Sequence, residues 1–372
     1  MSLADLPELL PEFAAREGRD PEAYPAANIA DLFAAGIIQA PFPPELGGEG
    51  ASLLAGVEAV EAIATVSGST ALLVSMPLGL AGMLMAGLAV VPPGHRAACR
   101  AQIERAATDY RDGRLYAACN SEKGAGGALT NITTEAVLSQ ERGFVLRGEK
   151  ILASGGENAY AFFSTGKVAE GDLAGGGPVE FFLVDAHAPG VKILSDWDGF
   201  GMRSTESHGV RYHDAPAELL GFPNFVECVQ PAHYVFCLFA AIPLGCVRSI
   251  LAALGTPAPS SPALRLRLSE AAMRYEAMRA YLRETAAGWR PGSSAAYRMK
   301  VLRMKTYVSQ ESTKLAAELF ALGGGRHYRR NDPLARALAD SFAGTALRPP
   351  LQLGLDTLVE QFSLGEAGGP LA

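Results

Sequence analysis

The sequence predicts an α+β protein whose elements are segregated: helices first, a compact β-region in the middle, helices again at the end. Three observations carry this. Residues 1–115 are dominated by Ala, Leu, Met and Glu, with Pro/Gly turns between apolar runs. Between 116 and 222 the runs shrink to strand length and are broken by Gly, Asn and Asp. From 223 to 372 apolar residues return at an alternating four–three spacing. A chain of 372 residues is long enough for two or three domains, and the three stretches are read as domains 1–115, 116–222 and 223–372.

In the first stretch, "DLFAAGIIQAPFPPELGGEG" (31–50) reads as a helix running into a Pro/Gly turn. Residues 62–94 contain no charged residue but are interrupted by Ser67, Gly68, Ser69, Thr70, Pro77, Gly79 and Gly82. The run "YVFCLFAAIPLGCV" (234–247) is followed by Arg248. A membrane span needs roughly 20 apolar residues. Both runs are therefore read as helices buried on all sides, and no membrane association is expected.

In the middle stretch, "EAVLSQ", "GFVLRGEK", "AFFSTGKV", "EFFLVDA" and "GVKIL" are strand-length, and "AEGDLAGGG" (169–177) is a flexible hairpin tip. In the last stretch, Leu264, Leu268, Ala271, Tyr275, Met278, Leu282 and Trp289 form one helical stripe, and "GTPAPSSP" (255–262) precedes it. Tyr297, Val301, Met304, Val308, Leu315, Leu319 and Leu322 form a second, broken near Glu311 and Ser312. "DPLARALADSFAGTALRPPLQ" (332–352) begins as a helix, and Arg-Pro-Pro stops it. No carboxylate occurs between Asp340 and Asp356.

Net charge is 32 − 39 = −7 with no basic run, which argues against nucleic acid as a partner. The five cysteines form no C-x-x-C pair and sit mostly in apolar surroundings, so they read as reduced core thiols. Residues Met1 to Glu8 already carry acids and lack a basic leader pattern, so a cytoplasmic location is expected. No metal-ligand spacing occurs, and no metal is expected.

"CNSEKGAGG" (119–127) places a Ser beside a Gly-rich turn, where a hydroxyl and close backbone N–H groups suit an electron-rich ligand edge; an ordinary turn has the same pattern. It is neither a P-loop, lacking G-K-[ST], nor a Rossmann fingerprint, lacking a strand–helix unit. Together with "APFPPELGGEG" (40–50), "LRGEKILASGGENAYAFFSTGKV" (146–168) and "DGFGMRSTESHGVRYHDAPAELLG" (198–221), it resembles, in content and order, the acyl-CoA dehydrogenase superfamily. The resemblance spans most of the chain. It implies an N-terminal helical domain, a central β-barrel and a C-terminal four-helix bundle, with FAD between barrel and bundle and FMN the less expected form. It also implies a homodimer or homotetramer.

Carried over residue by residue, the resemblance implies cofactor contacts from Asn120, Ser121, Gly126 and Gly127, where Ser121 replaces the family's Thr and Gly127 its usual Ser. Ser154 matches the hydroxyl near the reactive nitrogen of the flavin. Gly324 and Gly325 match a glycine turn that approaches cofactor phosphates. Arg203, Ser204 and Thr205 fall in the Met-Arg-(Ser/Thr) turn and are expected to face substrate. His208 and His213 read as structural.

The family's catalytic Glu is missing. Matching Gly-Thr puts Ala343 at its position, and counting from Asp340 puts Arg348 there; an alternative base position falls on Val235. The implied activity is a flavin-dependent oxidoreductase acting on the CH–CH group of an acyl thioester. The empty base position keeps two alternatives open, a reduced-flavin monooxygenase on the same fold and a non-catalytic flavoprotein or scaffold.

Overall fold

The computed structural model describes residues 3–139, 141 and 143–363. Residues 1–2 of the first predicted domain and 364–372 of the third lie outside the described residues. The first stretch folds as α1 (Leu6–Arg19), α2 (Ala26–Ala34), α3 (Leu53–Ala64), α4 (Gly68–Val90) and α5 (Arg96–Arg111). Ser52 and Ser67 cap α3 and α4 by accepting from the N–H groups of Ala55 and Thr70.

The middle stretch holds β1 (Tyr116–Cys119), β2 (Glu135–Ser139), β3 (Gly143–Ala153), β4 (Ala161–Val168), β5 (Val179–Asp185), β6 (Val191–Ile193) and β7 (His208–Leu219). Five of these close a ring. β2 pairs with β3, β3 with β7, β7 with β5, β5 with β4, and β4 returns to β2 through Glu135↔Lys167 and Ala136↔Val168. Closure removes the sheet edges that an open sheet would expose. β1 runs parallel to β4 and shares one of its edges with β2, while β6 adds to β7. The predicted hairpin tip joins the antiparallel pair β4–β5.

The last stretch holds α6 (Phe225–Val229), α7 (Pro231–Gly255), α8 (Pro262–Ala287), α9 (Ala295–Gly323), α10 (Pro333–Ser341), α11 (Ala343–Ala346) and α12 (Leu351–Ser363). α7, α8, α9 and the α10–α11 pair pack as the C-terminal bundle. The two long apolar runs are α4 and α7, long and apolar enough to cross a membrane by length and composition, with mean hydropathies of 1.9 and 2.1. Here they pack against each other inside the fold. Gly82 makes that contact possible, because a Cβ there would lie 2.1 Å from the Tyr234 ring.

The stripe on α8 buries Ala271, Tyr275, Met278 and Leu282, as its spacing predicts. The second stripe is continuous where a break was expected. Ser312 on α9 is fully buried and donates to Met278 Sδ, so a small hydroxyl fills the gap in the seam. The predicted stripe ends differently at Leu322, which is exposed. Buried Glu61 of α3 ties the two helical regions together by accepting from Tyr275 Oη and Arg279 Nε. All five cysteines are unpaired.

Candidate functional site

A cavity of about 370 Å³ lies where the barrel meets α4, α7 and α11. Its helix walls are apolar: Leu72 and Met76 from α4, and Val235, Phe236 and Phe239 from α7. Its barrel wall is the polar one, with Asn120, Ser121, Ser154 and Ser207. Phe200 and Phe342 meet edge to face at 5.7 Å beside it.

A buried ion pair fixes the loop that carries Asn120 and Ser121. Glu122 accepts from Lys150 Nζ at 2.6 Å, from the Thr133 hydroxyl at 2.7 Å and from the Thr134 N–H at 3.1 Å. Burial alone raises a carboxyl, but Lys150 and these donors hold Glu122 down to about 2. Lys150 is fully buried and also donates to Thr165 Oγ1. With Glu122 turned inward, its two predecessors face the cavity. Ser121 O accepts from the Ile151 N–H, which ties the loop to β3. Buried Asn120 Oδ1 has no partner.

Ser154, just beyond β3, begins a line of three buried hydroxyls. Its Oγ lies 2.7 Å from Ser207 Oγ, which lies 2.6 Å from Thr205 Oγ1, which donates to Met202 O at 2.8 Å. Trp197 Nε1 donates to the same carbonyl at 3.2 Å. The Met202 N–H donates to Asp340 Oδ1 of α10 at 2.6 Å, so the C-terminal bundle holds the barrel turn. Burial pushes Asp340 up to about 6, and Glu17 of α1 up to about 7 against the pull of Arg336.

The cavity's C-terminal wall contains Ala343 and Arg348. Val235 lies opposite on α7. All three positions at which a base was sought therefore face the cavity. Among the described residues no Asp, Glu or His lines it, and Arg348 is its one ionisable side chain.

Sequence patterns of three acyl-CoA dehydrogenase domains match the chain in order: the N-terminal domain over residues 7–89, the middle domain over 117–215 and the C-terminal domain over 244–347. The chain belongs to the acyl-CoA dehydrogenase superfamily. A 3-sulfinopropanoyl-CoA desulfinase from Advenella mimigardefordensis is 23% identical over 86% of this chain and 81% of its own. A dibenzothiophene monooxygenase from Rhodococcus erythropolis is 27% identical over 53% of this chain and 45% of its own. The crystal structure of FMN-bound TdsC from Paenibacillus sp. A11-2 superimposes with a TM-score of 0.81 at 20% identity, covering 99% of this chain and 98% of that one. That likeness is one of fold.

Within this acyl-CoA dehydrogenase fold, the residues singled out from sequence separate into two groups. Asn120, Ser121 and Ser154 come together on one cavity wall, with Arg348 against Asn120 and Ala343 also lining the cavity. Gly126 and Gly127 lie behind that wall; a Cβ on Gly127 would meet Pro350 Cδ at 2.5 Å. Arg203 points away from the cavity and donates to Glu22, to the Arg330 carbonyl and to Asn331. Ser204 is buried with a partnerless hydroxyl, and Thr205 joins the hydroxyl line. Gly324 and Gly325 sit in the turn after α9, where an added Cβ would meet nothing within 4 Å.

The histidines have structural partners or lie in solvent. His208 Nδ1 accepts from the Trp197 N–H, His327 Nδ1 donates to Asp332, and His213 is exposed. Sequence reasoning missed Trp197, Lys150 and the Glu122 pairing. Trp197, one of two tryptophans, lies just before the Met-Arg turn and was the available signal.

Proposed function

We propose that the protein is a flavin-dependent monooxygenase that oxygenates a small, largely apolar substrate in this cavity. The observation that carries the reading is the lining itself. Removing an α-proton from an acyl thioester needs a base within about 3 Å of the carbon-bound hydrogen, and the lining offers no carboxylate or imidazole. An oxygenation that needs no such base is compatible with it.

The residues present fit a flavin. A flavin is a flat ring system with one polar edge. The barrel wall supplies the partnerless Asn120 Oδ1 and the hydroxyls of Ser121 and Ser154, and the facing α7 wall is apolar. Asn120, Ser121 and Ser154 would hold the polar edge. When bound and reduced, the flavin supplies the electrons that activate dioxygen, so that one oxygen atom enters the substrate and the other leaves as water. The chain's own contribution is to bind, orient and keep water out. Phe236 and Phe239 offer flat apolar surface to an aromatic substrate, and Phe200 with Phe342 narrows the approach.

Among the relatives, one that matches 53% of this chain is named a monooxygenase. An acyl thioester substrate has an observation in its favour, since two relatives that each span 86% of the chain are named for acyl-CoA substrates. One experiment separates the two. The flavin-loaded protein is mixed anaerobically with acyl-CoA thioesters; separately, its reduced form is given oxygen and aromatic heterocycles. A product heavier by one oxygen atom supports the monooxygenase. Rapid anaerobic bleaching by acyl-CoA overturns it.

A further inference from the structure

Two cations meet at the segment 344–348 with no carboxylate in ion-pair distance among the described residues. Lys305, buried on α9, donates to the carbonyls of Gly344 at 2.7 Å and Leu347 at 3.3 Å. Arg348 donates through Nη2 to the Asn120 carbonyl at 2.7 Å, and its buried Nε has no partner. Among the described residues neither cation has a carboxylate within ion-pair distance. Glu122 is close enough to act on Arg348 electrostatically, but Lys150, Thr133 and Thr134 already occupy it. Burial pushes both cations down, Lys305 to about 7 and Arg348 to about 10.

A guanidinium carries five N–H donors in a planar fork matched to an oxyanion. A latch between the C-terminal segment and β1's exit needs one donor, and a neutral side chain would supply it. Arg348 instead brings a full charge to a cavity lined by no other ionisable side chain among the described residues. The segment is also held before any ligand arrives. Lys305 fixes the carbonyls of residues 344 and 347, and the Pro350 ring is seated on Gly127. Little ordering remains for binding to supply.

We infer that Arg348 is an anion-binding residue of the cavity, taking an oxyanion, phosphate or carboxylate, carried by the flavin's side chain or by the substrate. The inference rests on the flavin reading only for the first of these sources. A cation unpaired in a low-dielectric wall discriminates strongly between a charged ligand and its neutral analogue.

Calorimetry with two matched pairs tests it. Flavin-free protein is titrated with FMN and with riboflavin. Flavin-free and FMN-treated protein are titrated with benzoate and with benzamide. Each titration is repeated on Arg348→Met and on Arg348→Lys, which keeps the charge and removes the fork. At least one wild-type pair is expected to favour the charged member by tenfold or more, with the preference falling below twofold in Arg348→Met and intermediate in Arg348→Lys. Movement of the FMN/riboflavin ratio assigns the anion to the cofactor, and movement of the benzoate/benzamide ratio assigns it to the substrate. Preferences that are absent in the wild type, or intact in the folded variants, overturn the inference. If neither flavin binds wild type, the flavin reading fails, and the benzoate pair on flavin-free protein still decides Arg348. If Arg348→Met does not fold, the wild-type ratios and Arg348→Lys carry the decision.

Discussion

Ser154 Oγ and Ser207 Oγ lie 2.7 Å apart in a buried pair, and the direction of the hydrogen bond between them is set two residues away. While Thr205 donates to Met202 O, Ser207 must donate to Thr205 and Ser154 to Ser207. Ser154 then shows the cavity a lone pair. Because Trp197 Nε1 also reaches Met202 O, the three hydroxyls can turn together and present a proton instead. A flavin exchanges a bare ring nitrogen for an N–H on reduction, so a reversible partner suits both states.

Thr205→Val removes the terminus of this line while keeping its shape. Ser207 must then donate to Ser154, which donates permanently into the cavity. The reduced flavin is expected to lose about tenfold in relative stability, a fall of about 30 mV in a two-electron midpoint potential. Potentiometric titration measures it, with Ser207→Ala expected to move less. An unchanged potential in Thr205→Val removes the relay from the account.

The Glu122–Lys150 pair is expected to be costly to break from one side. Lys150→Met leaves a buried carboxylate without its counter-ion, held only by Thr133 and Thr134, and losses of about 3–5 kcal/mol are typical of such sites. Urea unfolding at pH 7 reads it. Glu122 is depressed in the folded state, so its contribution is present above its ordinary value of 4.5 and fades as pH falls toward about 2. A Lys150→Met protein as stable as wild type at pH 7 would show that the loop is held by other contacts.

Glu17 and Asp340 have the opposite sign. Both are raised in the folded state, so folding favours their protonated forms, and that advantage is lost as pH rises through about 6 and 7. The groups facing them are Arg336 and Arg203, with Ser67 a hydrogen-bond partner of Glu17. Asp340→Asn keeps an acceptor for the Met202 N–H and cannot ionise. The variant is expected to gain on the order of 1–2 kcal/mol over wild type at pH 8, and about half of that at pH 5. Denaturant melts at the two pH values decide; a gain that does not depend on pH contradicts the assignment.

Ala343→Glu puts a carboxylate at one of the two positions that match the family's base. If an acyl thioester binds in this cavity, a positioned base adds about 10² to 10⁴ in rate. Under the monooxygenase reading, anaerobic flavin bleaching by acyl-CoA stays at the wild-type level in the folded variant. Bleaching gained only in Ala343→Glu would place an acyl thioester in the cavity and count against an aromatic substrate.

We further propose assembly through the C-terminal helices. Leu266 and Met273 of α8 are 59% and 67% exposed, and Tyr307 and Leu322 of α9 are also uncovered. Met273→Glu is expected to lower the oligomer's stability, seen as a smaller mass by light scattering at micromolar concentration. A wild-type monomer would end the proposal.

Much of the scaffold was legible because its signals are local. Gly and Asn between short apolar runs marked β2 to β6, and the stripe from Ala271 to Leu282 marked the buried face of α8. The 12-residue strand β7 was not singled out. Its inward Val210 and Tyr212 alternate with outward Arg211 and His213, and Pro216 interrupts the pattern. The site was legible only in part. Asn120, Ser121 and Ser154, singled out through the family resemblance, do line the cavity. Arg203 does not line it and pairs with Glu22; a guanidinium beside a turn has the same sequence whether it meets substrate or a carboxylate. Lys150 and Glu122 lie 28 residues apart and meet only because β3 runs back past the loop. Sequence spacing carries no trace of that.

The hydrogen bond from Met202 to Asp340 joins residues 138 positions apart. It has a consequence for how the protein is made. A ribosome delivers the barrel long before α10, and domains generally fold as they emerge. Until residue 340 is out, the 202 turn lacks its carboxylate, and the wall bearing Ala343 and Arg348 does not exist. The barrel can fold early, but the chamber cannot close around a cofactor until residues 340–348 have emerged as well. Loading therefore follows barrel folding on the nascent chain.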